Sequence, residues 1–390
     1  MTIKIEFIKI LMLFLIMYII INYKKDKIIL TEIKQDIDNI KEYYILNNKG
    51  ILINKKSFNK IQNPKVSVVT AVYNRQEFIL RFIRSIQNQF FDDIEIIFVD
   101  DCSTDLSPKL IEEYQKEDER IILLKQKKNK GTLISRNIGV LKAKGEYVIL
   151  PDPDDILSQN ILNICYNEAI KNNYEMIRFN LYSDFYFPFN TIANNLKNII
   201  YQPELSTYLI YGYGYKNIID GIISNKFIKT KTYLLTLKEI NNFYLNQNMS
   251  YFEDGLINFA LHRNSKSLYL LKKIGYYYIF NKDSVSRNIN IESYLKCFMI
   301  FIKYIFENTK NNKYEKDIVF YLLTHYIKDF KIFNNLKNNL KYLQISENII
   351  NEIYNNKYIT VRTQNYLRHI KYIINNLKKN QNKFKINIWL

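Results

Sequence analysis

The sequence predicts an α/β fold in which a mostly parallel sheet carries helices on both faces. Three observations support this: short apolar runs rich in β-branched residues, amphipathic segments between those runs, and polar residues directly after several of them. Strict alternation of strand and helix favours parallel strands, because each crossover returns the chain to the same edge of the sheet. Ligands bind such sheets at the carboxyl ends of the strands, so the residues there are the first candidates for chemistry.

The alternating pattern runs from Lys65 to about Phe179. We predict strands from short buried runs, and helices from apolar residues three and four positions apart or from capping residues. Ser107 and Pro108, for example, are typical of the cap and first position of a helix. The predicted elements are strand 66–72, helix 77–90, strand 94–99, a helix from residue 107, strand 121–124, helix 132–144 and strand 147–150.

The segment before this pattern predicts a membrane anchor over residues 1–23. Residues 7–23 are apolar except for Lys9 and Asn22, which is close to the ~17 to 25 residues that span a bilayer. No small-residue cleavage site follows, so we interpret the segment as a retained signal-anchor. A buried helix is the alternative. Lysines on both sides leave the orientation of this single-pass anchor, and the side of the membrane, open.

Three further regions follow the anchor. Residues 24–63 predict a stem, since Leu30, Ile33, Ile37 and Ile40 share one helix face. The sequence leaves two roles open for this helix: it could form a homodimer contact, or it could pack on the domain that follows. Residues 64–290 form the main domain, and residues 291–390 a helical C-terminal extension. The extension either pads the main domain or rests a basic face on an anionic membrane.

The composition excludes several classes of protein. With 47% hydrophobic and 24% charged residues the chain is globular, which excludes collagen-like and disordered chains. A formal charge of +18 favours a polyanionic partner, although drift in base composition is another source of the lysine. Three cysteines without CxxC spacing give neither a disulfide framework nor a zinc site. Any metal must therefore have oxygen ligands.

Carboxylates follow two of the predicted strands. Asp100-Asp101 come after the second strand and Asp152-Pro153-Asp154-Asp155 after the last. Carboxylates at one sheet edge repel one another unless a cation compensates, and oxygen ligands suit Mg²⁺ or Mn²⁺. We predict that Asp154 holds such an ion, with a solvated turn or a helix cap as the alternative. The absence of GxGxxG and GxxxxGK[ST] motifs disfavours a dehydrogenase or a P-loop enzyme.

Four short motifs occupy the strand ends in a fixed order. They are residues 66–74, residues 98–105, residues 129–131 with 135–139, and residues 145–147 leading into 152–155. In sequence and spacing this combination resembles the family 2 glycosyltransferases, over about Lys65 to Arg287, and implies their Rossmann-like GT-A fold. Ala71 replaces the usual Pro, Pro151 a usual apolar residue, and Cys102 the usual Gly. A cysteine is strained if the backbone there needs a positive φ.

The resemblance implies a nucleotide-sugar half over residues 64–180. Tyr73 would pack on the base, and Asp101 would accept the imide hydrogen of uracil. Asp154 would hold the metal, which neutralises charge on the leaving diphosphate. Arg136 would lie near that diphosphate, with Asp152 as its nucleotide-side partner. The residues assigned to the nucleotide sugar are Ala71, Tyr73, Asp101, Lys130, Arg136 and Asp152.

The acceptor half, residues 181–290, contains the acidic pair Glu253-Asp254. By the resemblance Asp254 is the catalytic base and Glu253 its neighbour at a helix start. The alternative is that both only complement the helix dipole. Residues 276–278 and 283–287 resemble the closing strand and loop of the family. Arg287 there would reach the diphosphate or be an ordinary surface arginine.

The function implied is an inverting transfer of a sugar, of the hexosyl or N-acetylhexosaminyl type. The sugar moves from a UDP-sugar to a hydroxyl of a glycan, lipid or protein, with Mg²⁺ or Mn²⁺ and at a membrane. One alternative is a non-catalytic nucleotide-sugar or glycan binding protein, against which the intact Asp101, Asp154 and Asp254 argue. A second alternative is a basic protein that binds nucleic acid or an anionic membrane, with an affinity that falls steeply as the salt concentration rises. It leaves the acidic cluster unexplained, so no nucleic-acid partner is expected.

Overall fold

The computed structural model describes residues 58–183, 199–201, 222–240, 244, 247, 249–279, 281–282, 290–308 and the single positions 351, 368 and 371. The predicted anchor, the stem up to residue 57, Arg287 and most of the C-terminal extension lie outside these residues. Within the described ranges, no helix combines the length and the apolar character that crossing a membrane requires. The chain divides into the units Met1–Ser57 and Phe58–Leu390.

The first four strands form the predicted parallel sheet. They are β1 (Val66–Val72), β2 (Ile94–Asp100), β3 (Ile121–Lys125) and β4 (Tyr147–Ile149). Their order is β3-β2-β1-β4, and every neighbouring pair is parallel. Each agrees with its predicted bounds to within one residue. Six of the seven residues of β1 and all seven of β2 are buried, as expected of strands covered on both faces.

The rest of the sheet is mixed, which corrects the expectation of a mostly parallel sheet. It contains β5 (Ile156–Leu157), β6 (Met176–Ser183), β7 (Ile199–Tyr201), β8 (Lys226–Lys229) and β9 (Ser267–Tyr278). Strand β8 is antiparallel to β4 and β6, whereas β9 is parallel to β6 and antiparallel to β5 and β7. Because β5 follows β4 without a helix, the alternation that dictates parallel pairing ends at β4.

The helices of the described residues mostly begin where the sequence predicts. They are α1 (Ile79–Gln87), α2 (Ser107–Glu117), α3 (Thr132–Lys142), α4 (Ile161–Asn172), α5 (Thr230–Glu239), α6 (Glu253–Asn264) and α7 (Ile291–Asn308). Ser107 is the first residue of α2 rather than its cap, which is Leu106. The Ser107 hydroxyl instead accepts a hydrogen bond from the backbone N–H of Arg75 at 2.7 Å, so it ties the loop after β1 to α2.

Helix α3 lies directly on β1 and β2 because residue 139 is glycine. A Cβ at Gly139 would clash with the side chain of Val69 and approach Val99 Cγ2 to 3.1 Å. Arg136 lies one turn before this contact on the same helix. The close packing of α3 on the sheet therefore fixes the distance between Arg136 and the carboxyl end of β1.

Two left-handed residues shape the loops after β1 and β2. Asn74 has φ 52° and Cys102 has φ 66°. The Asn74 backbone N–H donates to Ser103 Oγ at 3.0 Å, and Asn74 Oδ1 accepts from the Thr104 N–H at 2.9 Å. Asparagine adopts this conformation at a lower energetic cost than cysteine does. The positive φ that would strain position 102 is thus present.

Cys102→Gly should therefore stabilise the fold. A left-handed backbone costs a residue with a Cβ about 1 kcal/mol, which the extra freedom of glycine in the unfolded chain offsets in part. We expect the thermal midpoint to rise by about 1 °C. Cys102→Ala is the matched control, because it removes the thiol and keeps the Cβ. Equal midpoints for the two variants would contradict this account.

Candidate functional site

A cavity of about 730 Å³ opens at the carboxyl ends of β1, β2 and β4. One wall comes from the loops after these strands, and the other from the start of α6, from Tyr278 at the end of β9 and from α7. Among the predicted site residues that the structure describes, Lys130 alone does not line it. The predicted residues that do line it are Ala71, Tyr73, Asp101, Arg136, Asp152, Asp154, Glu253 and Asp254.

Asp101 is 3% exposed, and its carboxylate holds the loop before α3. Oδ1 accepts from the backbone N–H of Lys130 and from Gln126 Nε2, both at 2.8 Å, while Oδ2 accepts from the Gly131 N–H at 2.7 Å. Lys130 thus acts through its backbone rather than its ammonium group. Since a carboxylate oxygen accepts two hydrogen bonds, Oδ2 of Asp101 keeps room for one more donor.

Arg136 joins the two sides of the cavity. Its Nη1 donates to Asp254 Oδ1 and its Nη2 to Asp152 Oδ1, both at 2.5 Å, and the residue is 5% exposed. Burial alone would lower the pKa of Arg136, but Asp254 and Asp152 raise it above its usual value. The guanidinium therefore lies between two carboxylates, of which the sequence predicted Asp152 as a partner but not Asp254.

Asp152 and Asp155 anchor the acidic loop after β4. Burial raises the pKa of Asp152 to about 6, against the opposing effect of Arg136 and with the help of Asp154 and Asp254. Asp155 is buried and accepts from the Tyr276 hydroxyl at 2.6 Å and from the Ile279 N–H at 2.9 Å. The Asp152 N–H donates to the same hydroxyl at 3.0 Å. Tyr276 thus attaches the loop to the end of β9.

The Asp154 side chain is 16% exposed at the cavity wall. Its Oδ2 accepts from Asn281 Nδ2 at 2.8 Å and lies 3.7 Å from Arg75 Nε. In the part of the chain that is described, no three His, Cys, Asp or Glu side chains are grouped to hold a metal. One carboxylate still fits Mg²⁺ or Mn²⁺ when phosphates and waters complete the coordination. Five carboxylates and two arginines line the cavity, a surplus of acidic groups that a divalent ion would offset.

Glu253 and Asp254 begin α6, directly after Phe252, which has a left-handed backbone with φ 62°. Asp254 Oδ2 accepts from the Ile223 N–H at 3.2 Å, and Oδ1 accepts from Arg136. Burial raises the pKa of Glu253 to about 7, and the neighbouring charge of Asp254 adds to this against the effect of Arg136. Of the two adjacent carboxylates, Asp254 is held in an ion pair and Glu253 is about half protonated at neutral pH.

Glu253→Gln should stabilise the protein at pH 8 but not at pH 4.5. The pKa of Glu253 rises from 4.5 to about 7 on folding, so its ionised form is destabilising. The cost is complete above pH 7 and disappears below pH 4.5. We expect a gain of about 3 kcal/mol at pH 8 in urea unfolding, since a pKa difference of one corresponds to about 1.4 kcal/mol. Exposed Glu113→Gln on α2 is the control and should gain nothing. An equal gain for Glu253→Gln at both pH values would contradict this assignment.

Aromatic side chains form the far wall of the cavity. The Phe252 ring centroid lies 4.8 Å from Tyr294, 5.4 Å from Phe298 and 5.8 Å from Phe301. Gly255 permits this packing, since a Cβ there would approach Phe301 Cζ to 3.1 Å. Helix α7 begins at Ile291, where the sequence predicts that the helical C-terminal extension begins. The sequence did not predict that α7 forms part of the cavity wall, because the contact between Phe252 and α7 joins segments that are distant in the sequence.

Three polar residues of the site were also missed. Arg75 lines the cavity beside Asp154, while Tyr276 and Asn281 support the acidic loop. Arg75 directly follows Tyr73-Asn74, so the rule that function lies at strand ends would have found it. Tyr276 and Asn281 lie more than 120 positions from their partners, at sequence separations of 124 and 127. Residues 276–278 were assigned to a closing strand, but no local pattern predicts the contacts of Tyr276 and Asn281 with the acidic loop.

Comparisons with known proteins identify a family match over part of the chain. The model of glycosyl transferase family 2 matches residues 67–233. The putative glycosyltransferase EpsH of Bacillus subtilis is 27% identical over 270 residues, which cover 68% of this chain and 76% of EpsH. A cholesterol galactosyltransferase of Borreliella burgdorferi is 28% identical over 316 residues, covering 74% of this chain and 82% of that protein.

The fold is also shared with a solved structure. The structure of S. aureus TarS 1-349 in complex with UDP-GlcNAc aligns with a TM-score of 0.63 at 16% identity. The alignment covers 81% of this chain and 91% of that one. At this identity the likeness establishes the fold alone.

Proposed function

This chain belongs to glycosyl transferase family 2 through residues 67–233, and on that premise we propose an inverting transfer from a UDP-sugar to a hydroxyl group. The chain is a glycosyltransferase; the donor, the acceptor and the stereochemistry are the proposal. The observation that carries it is the cavity, because one space brings Asp101, Asp154 and Asp254 together. Asp101 would accept a hydrogen bond from the nucleobase, Asp154 would be a metal ligand, and Asp254 would accept the proton of the acceptor hydroxyl.

Uridine is the nucleoside that suits the first wall. Tyr73 is 45% exposed at the cavity and offers its ring to a planar base. Asp101 Oδ2 has one lone pair left, which accepts the N3–H of uracil and repels a base with an acceptor at that position. TarS, which shares the fold, has been solved with UDP-GlcNAc, and this supports the same choice.

Asp154 would hold Mg²⁺ or Mn²⁺ together with the two phosphates of the donor. A bound ion supplies neutralisation of the charge that develops on the leaving diphosphate. Asn281 and the loop contacts of Asp155 hold the acidic loop in place for this role. Arg136 keeps Asp152 and Asp254 from repelling each other while both face the reacting sugar.

Asp254 would accept the proton of the acceptor hydroxyl. Arg136 and the Ile223 N–H orient its carboxylate, whose side chain is 25% exposed toward the cavity. The acceptor oxygen then attacks the anomeric carbon from the side opposite the diphosphate. The bond between that carbon and the phosphate oxygen breaks, and the nucleoside diphosphate leaves. Because one displacement occurs, the anomeric configuration inverts.

The acceptor would approach along the aromatic wall of Phe252, Tyr294 and Phe301. Such a wall suits an acceptor with an apolar face, such as a sugar ring or a lipid, better than a highly charged one. The acceptor hydroxyl belongs to a glycan, lipid or protein. Membrane attachment through residues 7–23 is part of the same proposal and rests on the sequence alone.

The experiment is a transfer assay on the full chain with a panel of UDP-sugars and acceptors in Mn²⁺. We expect an acceptor to accelerate UDP release from at least one UDP-sugar. Proton NMR of the product should show the anomeric configuration opposite to that of the donor. Retention of configuration would overturn the single displacement. Transfer from GDP- or dTDP-sugars, with all UDP-sugars inert, would overturn the donor assignment.

A further inference from the structure

Arg75 lies at the lip of the cavity, directly after the loop that carries Tyr73. Its Nη1 donates to the carbonyl oxygens of Tyr73 at 3.1 Å and Asn74 at 3.0 Å. Its Nε is 3.7 Å from Asp154 Oδ2, and the two side chains are 24% and 16% exposed. The Arg75 backbone is tied to Ser107 Oγ at 2.7 Å. The guanidinium is therefore held between the nucleotide loop and the proposed metal ligand.

We propose that Arg75 is the counter-cation of Asp154 in the free enzyme, and that it yields this carboxylate to a divalent ion only when a diphosphate is bound. The inference rests on the function proposed above. It adds that the diphosphate binds before the metal ion, and that Arg75 enforces this order. Arg75 would thus be a positioning residue that makes metal binding depend on the donor.

Charge balance favours this role. Asp154 shares a partly buried cavity with four other carboxylates, so leaving it without a cation is costly. A divalent ion on Asp154 and a guanidinium less than 4 Å away repel each other. The ion must therefore displace Arg75. Without an anion nearby the displaced guanidinium loses its carboxylate partner, and this opposes binding of the ion alone.

A diphosphate removes that opposition. Guanidinium groups pair with phosphate oxygens through two parallel hydrogen bonds. Arg75 reaches from the Tyr73 carbonyl, next to the base site, to Asp154, next to the metal site. The diphosphate of a bound donor must lie between these two points. The lack of a three-residue metal cluster in the described residues agrees with an ion that needs phosphate ligands.

The test compares Arg75→Gln with wild type in two titrations of the full chain. Electron paramagnetic resonance measures Mn²⁺ binding without nucleotide, and calorimetry measures UDP binding in saturating Mn²⁺. We expect the variant to bind Mn²⁺ alone about fivefold tighter, because a competing cation is gone. It should bind UDP about tenfold more weakly, because a phosphate partner is gone. Changes in opposite directions separate this role from general damage to the fold.

Two further variants sharpen the result. Lys116→Gln removes an exposed charge from α2, outside the cavity, and should change neither affinity. Arg75→Lys keeps the charge but not the two-pronged geometry, so Mn²⁺ binding should stay near wild type while UDP binding weakens. An unchanged or weaker Mn²⁺ affinity in Arg75→Gln, with metal-dependent UDP binding intact in wild type, would overturn this inference alone. Metal-independent UDP binding in wild type would overturn the proposed metal role and this inference with it.

Discussion

Asp254→Asn should lower kcat by about 10³-fold and leave the affinity for UDP within about threefold of wild type. Proton abstraction by a positioned base contributes about 10² to 10⁴ in rate, and an amide cannot accept the proton. The variant keeps the size of the side chain, and its carbonyl oxygen can still accept from Arg136. Asp254 lies on the α6 side of the cavity, away from Tyr73 and Asp101 on the other wall. The nucleotide affinity should therefore change little.

Glu253→Gln is the matched control for this result. Both residues begin α6 and line the same cavity, but Arg136 and the Ile223 N–H orient the carboxylate of Asp254. We therefore expect the kcat of Glu253→Gln at pH 7.5 to fall less than tenfold. The two variants are compared by steady-state kinetics at saturating donor. A large loss in Glu253→Gln together with a small loss in Asp254→Asn would assign the base to Glu253.

Arg136→Met should destabilise the fold by about 3 kcal/mol at pH 8. Removing one partner of a buried ion pair leaves an uncompensated charge, at a cost of roughly 3 to 5 kcal/mol. The lower end applies because the side chains of Asp152 and Asp254 are 34% and 25% exposed. The loss should be smaller at pH 5. Burial already raises the pKa of Asp152 to about 6, and without Arg136 that pKa rises further, so Asp152 is protonated at pH 5 and its cost disappears.

The double variant Arg136→Met/Asp152→Asn tests this explanation. Removing one of the two carboxylates should restore part of the stability at pH 8 and little at pH 5. Urea unfolding at the two pH values measures both differences. A loss of stability that does not depend on pH, or that the second substitution does not reduce, would show that Arg136 matters for packing rather than for charge.

The first half of the fold follows from local pattern. Strands β1, β2 and β4 are short buried runs, β3 is a short apolar run that is only partly buried, and α3 begins at Thr132 after Gly131, which has a positive φ. The second half does not, because its pairing depends on contacts between distant segments. Strand β8 contains the buried Lys226, which no hydrophobic pattern would place in a sheet. Its antiparallel pairing with β4 and β6 was likewise not predictable.

The residues of the candidate site were more predictable than their contacts. Strand ends and family motifs identified Tyr73, Asp101 and Asp154, which all line the cavity. They did not reveal that Arg136 binds Asp254 across 118 positions, because that ion pair exists only when α3 and α6 are packed together. They placed Arg136 near a diphosphate with Asp152 as its partner, but they did not predict Asp254 as the second carboxylate beside it.

The measurement that tests the central claim most directly is calorimetric titration of the full chain with UDP, with and without Mn²⁺, beside Asp154→Asn. The account predicts that Mn²⁺ tightens UDP binding to wild type by about tenfold or more. Only the weak, metal-independent binding should remain in the variant. Wild-type binding that is indifferent to Mn²⁺, or a metal-dependent gain that survives in Asp154→Asn, would contradict the assignment of Asp154 as the metal ligand of the donor site.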